Sequence, residues 1–197
     1  MTVAAAVLAA GRGVRFGGDQ PKPLARFDGR TLLARALTAA LAGDFDPVYC
    51  VVADDAVAAA VPPGVTVLRN PAPERGIASS LSIVVEHLMA GSDASAVVVG
   101  LADQPLVGAG AWQRVAAAPG RLAVATYGGR RANPVRIGRD LWAEAAALEG
   151  DEGARVLVRR HGAVGVVCDD VGDPTDVDTP AELAALERRW RSQTASG

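Results

Sequence analysis

Six short apolar runs, at residues 3–8, 48–53, 65–68, 96–102, 122–126 and 163–168, show no alternation of apolar and polar side chains. A strand with one face in water must alternate. A strand that does not is buried on both faces. Between these runs lie segments with helical spacing, at residues 31–41, 76–89, 109–117, 141–148, 154–160 and 180–190. In the second of these, Ile77, Leu81, Val84, Val85 and Leu88 share one face. Strand and helix in turn, with strands buried on both faces, predict a single-domain three-layer α/β/α fold around a mostly parallel sheet. The domain is expected over residues 1–190, with a flexible tail at 191–197.

In such sheets ligands bind beyond the carboxyl ends of the strands, so the residues that follow each strand carry the functional signal. After the first strand comes Leu8-Ala9-Ala10-Gly11-Arg12-Gly13-Val14-Arg15-Phe16-Gly17-Gly18. Its four glycines free the backbone to curl and to aim N–H groups at one anion. Arg12, Arg15 and Lys22 add three cations, a set suited to a triphosphate. A Walker A loop is excluded, because Gly18 is followed by Asp19 rather than by Lys and Ser/Thr. A dinucleotide fingerprint is excluded too, because Gly11-x-Gly13-x-x-Phe16 lacks the third small residue. Pro21 and Pro23 bracket Lys22 and are expected to hold it on an extended, stiff base.

The run at 96–102 delivers Asp103 to the end of a buried strand, where an ionised carboxylate needs a partner. A Mg²⁺ ion is a natural one, since it takes one or two carboxylates plus substrate phosphates. Ser79 and Ser80 lie in the first turn of the helix opened by Gly76, where free N–H groups face outward. Tyr127-Gly128-Gly129-Arg130-Arg131-Ala132-Asn133-Pro134 reads as a cation-rich turn. Asp151 is placed either to cap the helix that follows or to meet a ligand. Thr179, Pro180 and Glu182 fit a capping box with proline at the first helical position, which leaves Asp176 and Asp178 without a structural explanation.

Leu8-Ala9-Ala10-Gly11-x-x-x-Arg15-Phe16-Gly17 followed by Lys22 resembles the signature of nucleotidyltransferases with a glycosyltransferase-A-like (nucleotide-diphospho-sugar transferase-like) fold. Within them the chain resembles the molybdenum cofactor cytidylyltransferases and their guanylyl relatives. Gly100-Leu101-Ala102-Asp103-Gln104-Pro105, Gly150-Asp151-Glu152-Gly153-Ala154-Arg155 and Asp176-Val177-Asp178-Thr179-Pro180 look like segments of that family. The resemblance implies that Leu8, Ala9, Ala10, Gly11, Arg12, Gly13, Arg15, Lys22, Ser79 and Ser80 bind the nucleotide, and that Asp103 and Asp178 hold Mg²⁺. It implies that Lys22, Arg15 and Asp103 carry the catalysis, and that Asn133, Asp151 and Arg155 face the acceptor. Ala9-Ala10-Gly11 matches the cytidylyl branch, which favours CTP as donor, a molybdopterin-type acceptor and a molybdoenzyme as recipient of the product. The chain departs from the pattern at Gly13, where relatives often have Ser, at Phe16, where they often have Met, and at Ala132, where they usually have Gly.

The alternatives within this chemistry are the guanylyl reaction on the same cofactor and nucleotidyl transfer to another phosphorylated small molecule. A non-catalytic chaperone delivering a cofactor would need the loop but not the two carboxylates. Twenty-two acidic residues against 20 basic ones give a formal charge of −2, the opposite of the basic excess of a nucleic-acid-binding domain. No apolar run approaches the ~20 residues that span a bilayer, and the cytoplasm is the expected location. Cys50 and Cys168 form neither a disulfide framework nor a zinc site. Both lie in apolar runs and are expected to be buried thiols. His87 and His161 are expected to be structural or exposed.

Overall fold

The computed structural model describes residues 2–17 and 20–194. Its nine strands, in chain order, are β1 (Val3–Leu8), β2 (Arg26–Phe27), β3 (Arg30–Thr31), β4 (Val48–Val52), β5 (Thr66–Arg69), β6 (Ala96–Leu101), β7 (Leu122–Tyr127), β8 (Arg130–Gly138) and β9 (Val164–Val167). The helices are α1 (Leu32–Leu41), α2 (Asp55–Ala59), α3 (Ile77–Gly91), α4 (Ala109–Ala117), α5 (Trp142–Ala146), α6 (Ala154–His161) and α7 (Pro180–Thr194). Seven strands form one sheet in the order β5-β4-β1-β6-β8-β7-β9. All its pairings are parallel except those of β8, which runs antiparallel to β6 and to β7. The remaining two strands, β2 and β3, make a small separate hairpin.

The absence of alternation in the apolar runs has a direct cause. Along β1, Ala4, Ala6 and Leu8 enter the core beneath α3, α5 and α6, while Ala5 and Val7 enter the core beneath α1, α2 and α4. Every side chain of such a strand is inside, so every one is apolar. Two helix layers around one sheet give the expected three-layer α/β/α architecture. Cys50 and Cys168 are both fully buried.

Three local expectations change. The segment from Tyr127 to Pro134, read as a cation-rich turn, is a turn only at Gly128 and Gly129; Tyr127 ends β7, and the residues from Arg130 on belong to the long strand β8 (Arg130–Gly138). Pro21 is extended as expected, but Lys22–Leu24 coils into one 3₁₀ turn rather than continuing straight. The last helix runs four residues past Trp190, to Thr194. Of the expected tail, residues 195–197 lie outside the described residues.

A third, small core anchors α7. Leu186 of α7 joins Phe27, Leu32 and Val177, and the Arg35 guanidinium lies 4.6 Å from the Phe27 ring centroid. The capping box holds at the start of α7: Glu182 N–H donates to Thr179 Oγ1 at 3.2 Å, and Glu182 Oε2 accepts from the N–H of Thr179 and of Asp178 at 2.8 Å each. Satisfying both N–H groups fixes the backbone immediately before the helix. That backbone carries Asp178.

Candidate functional site

A cleft of about 620 Å³ opens beyond the carboxyl ends of β1 and β6. Its apolar side is built by Ile77 and Leu81 of α3, Val99 of β6 and Val135 of β8. Around it the fold gathers Leu8, Ala9, Ala10, Gly11, Arg12, Gly13, Arg15 and Lys22 from the first loop, with Ser80, Asp103, Asn133, Asp151, Arg155 and Asp178 from five later segments. Every residue expected at the site borders this cleft except Ser79.

Ser79 turns away. Its hydroxyl accepts from Asn70 Nδ2 at 2.9 Å and donates to the Gly76 carbonyl at 2.7 Å. A hydroxyl bonded to the turn before its own helix stabilises that turn, and Ser79, expected at the nucleotide, does not line the cleft. Ser80, one residue on, is buried and borders the cleft.

The charged centre is a four-residue chain. Lys22 Nζ lies 2.7 Å from Asp103 Oδ2 and 2.9 Å from Asp178 Oδ1, and Arg15 Nη2 lies 2.8 Å from Asp178 Oδ2. Sequence reasoning aims Lys22 and Arg15 at phosphate and leaves the carboxylates for metal; here both cations also neutralise those carboxylates. Burial works against the charge on Lys22, but the attraction and hydrogen bond of Asp103, joined by those of Asp178, more than offset it and raise its pKa. The hydrogen bond from Lys22 pulls the Asp178 carboxyl below its usual range, against the opposing effect of burial and with further help from Arg15.

Backbone contacts place these groups. Val177 N–H donates to the Asp103 carbonyl at 3.0 Å, which lays the segment before α7 alongside the end of β6. Gly13, at φ +57°, passes so close to Lys22 that a Cβ there would lie 2.9 Å from Lys22 Cβ. This accounts for glycine at a position where the resembling family often has Ser. Arg12 is exposed and has no ion-pair partner among the described residues.

Three residues that matter here were not singled out for the site. Gln104 is buried; its Nε2 donates to the Pro174 carbonyl at 2.9 Å, and its Oε1 accepts from Asn133 Nδ2 at 3.2 Å, so it holds Asn133 at the cleft. Asn70 is buried beneath the first turn of α3. Asp176 borders the cleft, unlike the acidic residues that precede it: Asp170 pairs with Arg114, Asp173 with Arg189, and Asp169 accepts from Gly128 N–H. A buried polar residue next to a turn is the signal that could have found Gln104 and Asn70. Asp151 does not cap α6, whose N-cap is Gly153 with no side-chain hydrogen bond. His87 packs edge-on against Tyr49, and His161 pairs with Glu144.

A divalent cation can be tested against this donor set. Among the described residues no group of three or more His, Cys, Asp or Glu side chains converges. The two carboxylates suit a hard cation that completes its shell with water and phosphate oxygens. Asp103 Oδ1 is buried without a hydrogen-bond partner, an acceptor oxygen left to be satisfied at the cleft. The residues fit such an ion.

A doubly wound sheet that brings a cationic glycine-rich loop and two carboxylates to one cleft defines a phosphate-handling α/β protein. The chain belongs to the MobA-like NTP transferase domain family, whose model matches residues 5–164. Among curated proteins it is similar to the 2-C-methyl-D-erythritol 4-phosphate cytidylyltransferase of Cereibacter sphaeroides, at 37% identity over 122 residues, covering 60% of this chain and 54% of that protein. The chain thus spans about half the length of the curated relatives it matches. Among solved structures it is similar to Rv0371c from Mycobacterium tuberculosis, with 28% identity, TM-score 0.83 and coverage of 95% of this chain and 98% of that one. A manganese complex of Rv0371c matches with 27% identity, TM-score 0.79 and coverage of 95% and 99%. A nucleotidyl transferase from Methanothermobacter thermautotroptrophicus, at 18% identity, TM-score 0.76 and coverage of 98% and 99%, shares the fold. Among the described residues no helix is long and apolar enough to cross a membrane.

Proposed function

We propose that this protein is a divalent-metal-dependent nucleotidyltransferase that moves the nucleoside monophosphate of an NTP onto a phosphorylated small molecule. The observation that carries the reading is the convergence of Arg12, Arg15, Lys22, Asp103 and Asp178 on one cleft at the ends of β1 and β6. Family membership and the similarity to a cytidylyltransferase support it.

In the reaction, a phosphate oxygen of the acceptor attacks the α-phosphorus of the NTP. The new P–O bond forms as the bond to the bridging oxygen breaks, and pyrophosphate leaves. Phosphoryl chemistry of this kind asks for positioning and charge neutralisation more than for covalent participation. Arg12, Arg15 and Lys22 face the triphosphate and neutralise the charge that grows toward pyrophosphate. Backbone N–H groups of residues 10–13 add dipoles to the same task. Asp103 and Asp178 would hold a divalent cation, which would supply Lewis-acid neutralisation of phosphate charge at the cleft. Ser80 and the apolar wall of Ile77 and Leu81 receive the nucleoside, while Asn133, Asp151 and Arg155 border the acceptor end.

CTP is the favoured donor, supported by Ala9-Ala10-Gly11 and by the cytidylyltransferase relatives. Two acceptors have support. The motif at residues 150–155 favours molybdopterin, with a molybdoenzyme receiving the product, and the curated relatives favour 2-C-methyl-D-erythritol 4-phosphate. The test is product formation with each acceptor against CTP, GTP, ATP and UTP. Turnover by one acceptor–CTP pair supports the reading and names the acceptor. Folded protein that turns over no pair, with either Mg²⁺ or Mn²⁺, overturns it for these acceptors.

A further inference from the structure

Asn70 and Ser80 form a hydrogen-bond pair whose direction can be worked out atom by atom. Asn70 follows β5 and is only 4% exposed; Ser80, in the first turn of α3, is 5% exposed and borders the cleft. Ala72 N–H lies 2.9 Å from Asn70 Oδ1. A backbone N–H can only donate, so this contact fixes the amide with its oxygen toward Ala72 and its nitrogen toward α3. The two hydrogens on Nδ2 then go to Ser79 Oγ and Ser80 Oγ, each at 2.9 Å.

Both hydroxyls are therefore acceptors toward Asn70, and each must send its own hydrogen elsewhere. Ser79 donates to the Gly76 carbonyl at 2.7 Å, with the Ala72 carbonyl 3.3 Å away. The Ser80 hydroxyl hydrogen has no protein acceptor among the described residues, and Ser80 lines the cleft. A hydroxyl normally rotates to suit either a donor or an acceptor. This one is committed to donating.

We propose that Asn70 is a positioning residue that sets the polarity of Ser80, so that the cleft selects a nucleoside carrying a hydrogen-bond acceptor opposite the Ser80 hydroxyl. The inference rests on the nucleotidyltransferase reading above. Asn70 never touches the ligand; it acts through Ser80. The pyrimidine face of cytosine, with O2 and N3, and the ribose oxygens both supply such an acceptor, whereas a bare triphosphate engages only the cationic loop.

The experiment is calorimetric titration of the full chain with CTP, or with GTP should the wild type prefer it, and in parallel with inorganic tripolyphosphate. The variants are Ser80→Ala, Asn70→Asp and the double variant. Asn70→Asp keeps the shape and the Ala72 contact but turns the donor into an acceptor. Asn70→Ala replaces it if a buried carboxylate prevents folding. One lost hydrogen bond corresponds to a weakening of about tenfold. We expect each single variant to weaken nucleotide binding by about that factor, the double variant to be no weaker than Ser80→Ala, and tripolyphosphate affinity to stay unchanged. Equal weakening of nucleotide and tripolyphosphate by Asn70→Asp would show a merely structural role and overturn the proposal. So would wild-type nucleotide affinity in Asn70→Asp. If the wild type bound tripolyphosphate but no nucleotide, the nucleotidyltransferase reading would fail and the inference with it.

Discussion

Lys22 Nζ and Asp103 Oδ2 lie 2.7 Å apart across 81 residues of sequence, and the same ammonium lies 2.9 Å from Asp178. One side chain thus joins the loop that would grip the triphosphate to both carboxylates that would hold the metal. Lys22 is a competitor for the cation as well as a partner of the phosphate. We expect Lys22→Met to bind Mn²⁺ more tightly than the wild type without nucleotide, read by the electron paramagnetic resonance of free Mn²⁺. We expect the same variant to lose about 10²-fold or more in turnover, the scale for removing one preorganised charge-stabilising group. Unchanged Mn²⁺ affinity would separate Lys22 from the metal carboxylates.

Gly76 packs the start of α3 against Gly150 and Asp151 at the edge of the cleft. At φ 86° and ψ −178° it occupies a region that only glycine enters readily. A Cβ there would lie 2.4 Å from Asp151 Oδ1 and 2.5 Å from the Gly150 backbone. We expect Gly76→Ala to lower stability by ~1–3 kcal/mol and to weaken acceptor use, whereas Gly91→Ala at the far end of the same helix, where an added Cβ meets nothing within 4 Å, leaves both in place. Thermal melts and acceptor KM values compare the two.

Burial pushes the Cys50 thiol up to about 12, and Cys168 is raised for the same first reason. Neither thiol should react with a disulfide reagent at pH 8 until the protein unfolds. Because the folded pKa of Cys50 lies above the unfolded value near 8.5, its contribution to stability is complete below that pH. It is lost as pH rises toward 12, because the unfolded chain releases the proton first. We expect the melting temperature of the wild type, relative to Cys50→Val, to decline steadily above pH 8.5. A constant difference across that range would contradict the assignment.

Much of the fold is legible in the sequence because burial on both faces leaves an unmistakable pattern. The alanines and valines of β1, β4 and β6 have no polar alternative, since each faces one helix layer or the other. The strand β8 was hidden for the opposite reason: Arg130, Arg131, Asn133 and Pro134 carry turn chemistry, and antiparallel pairing with β6 and β7 is a tertiary fact. Helix α2 has five residues, too few for a period to show. At the site, residue types and strand-end positions locate the cationic loop and the carboxylates. They do not reveal that Lys22 bridges Asp103 and Asp178, because that contact depends on how α7 docks on Phe27 and Leu32. Nor do they separate Ser79 from Ser80, since adjacent helix positions differ only in which way they face.

The most direct measurement follows the phosphorus atoms. CTP labelled at the α-phosphate is incubated with Mg²⁺, the protein and each phosphorylated acceptor, beside the Asp103→Asn variant. We expect the label to pass into the acceptor while the β- and γ-phosphates leave together as pyrophosphate, with the variant slower by about 10²-fold or more. Release of the γ-phosphate alone, or transfer undiminished in folded Asp103→Asn, would contradict the central claim.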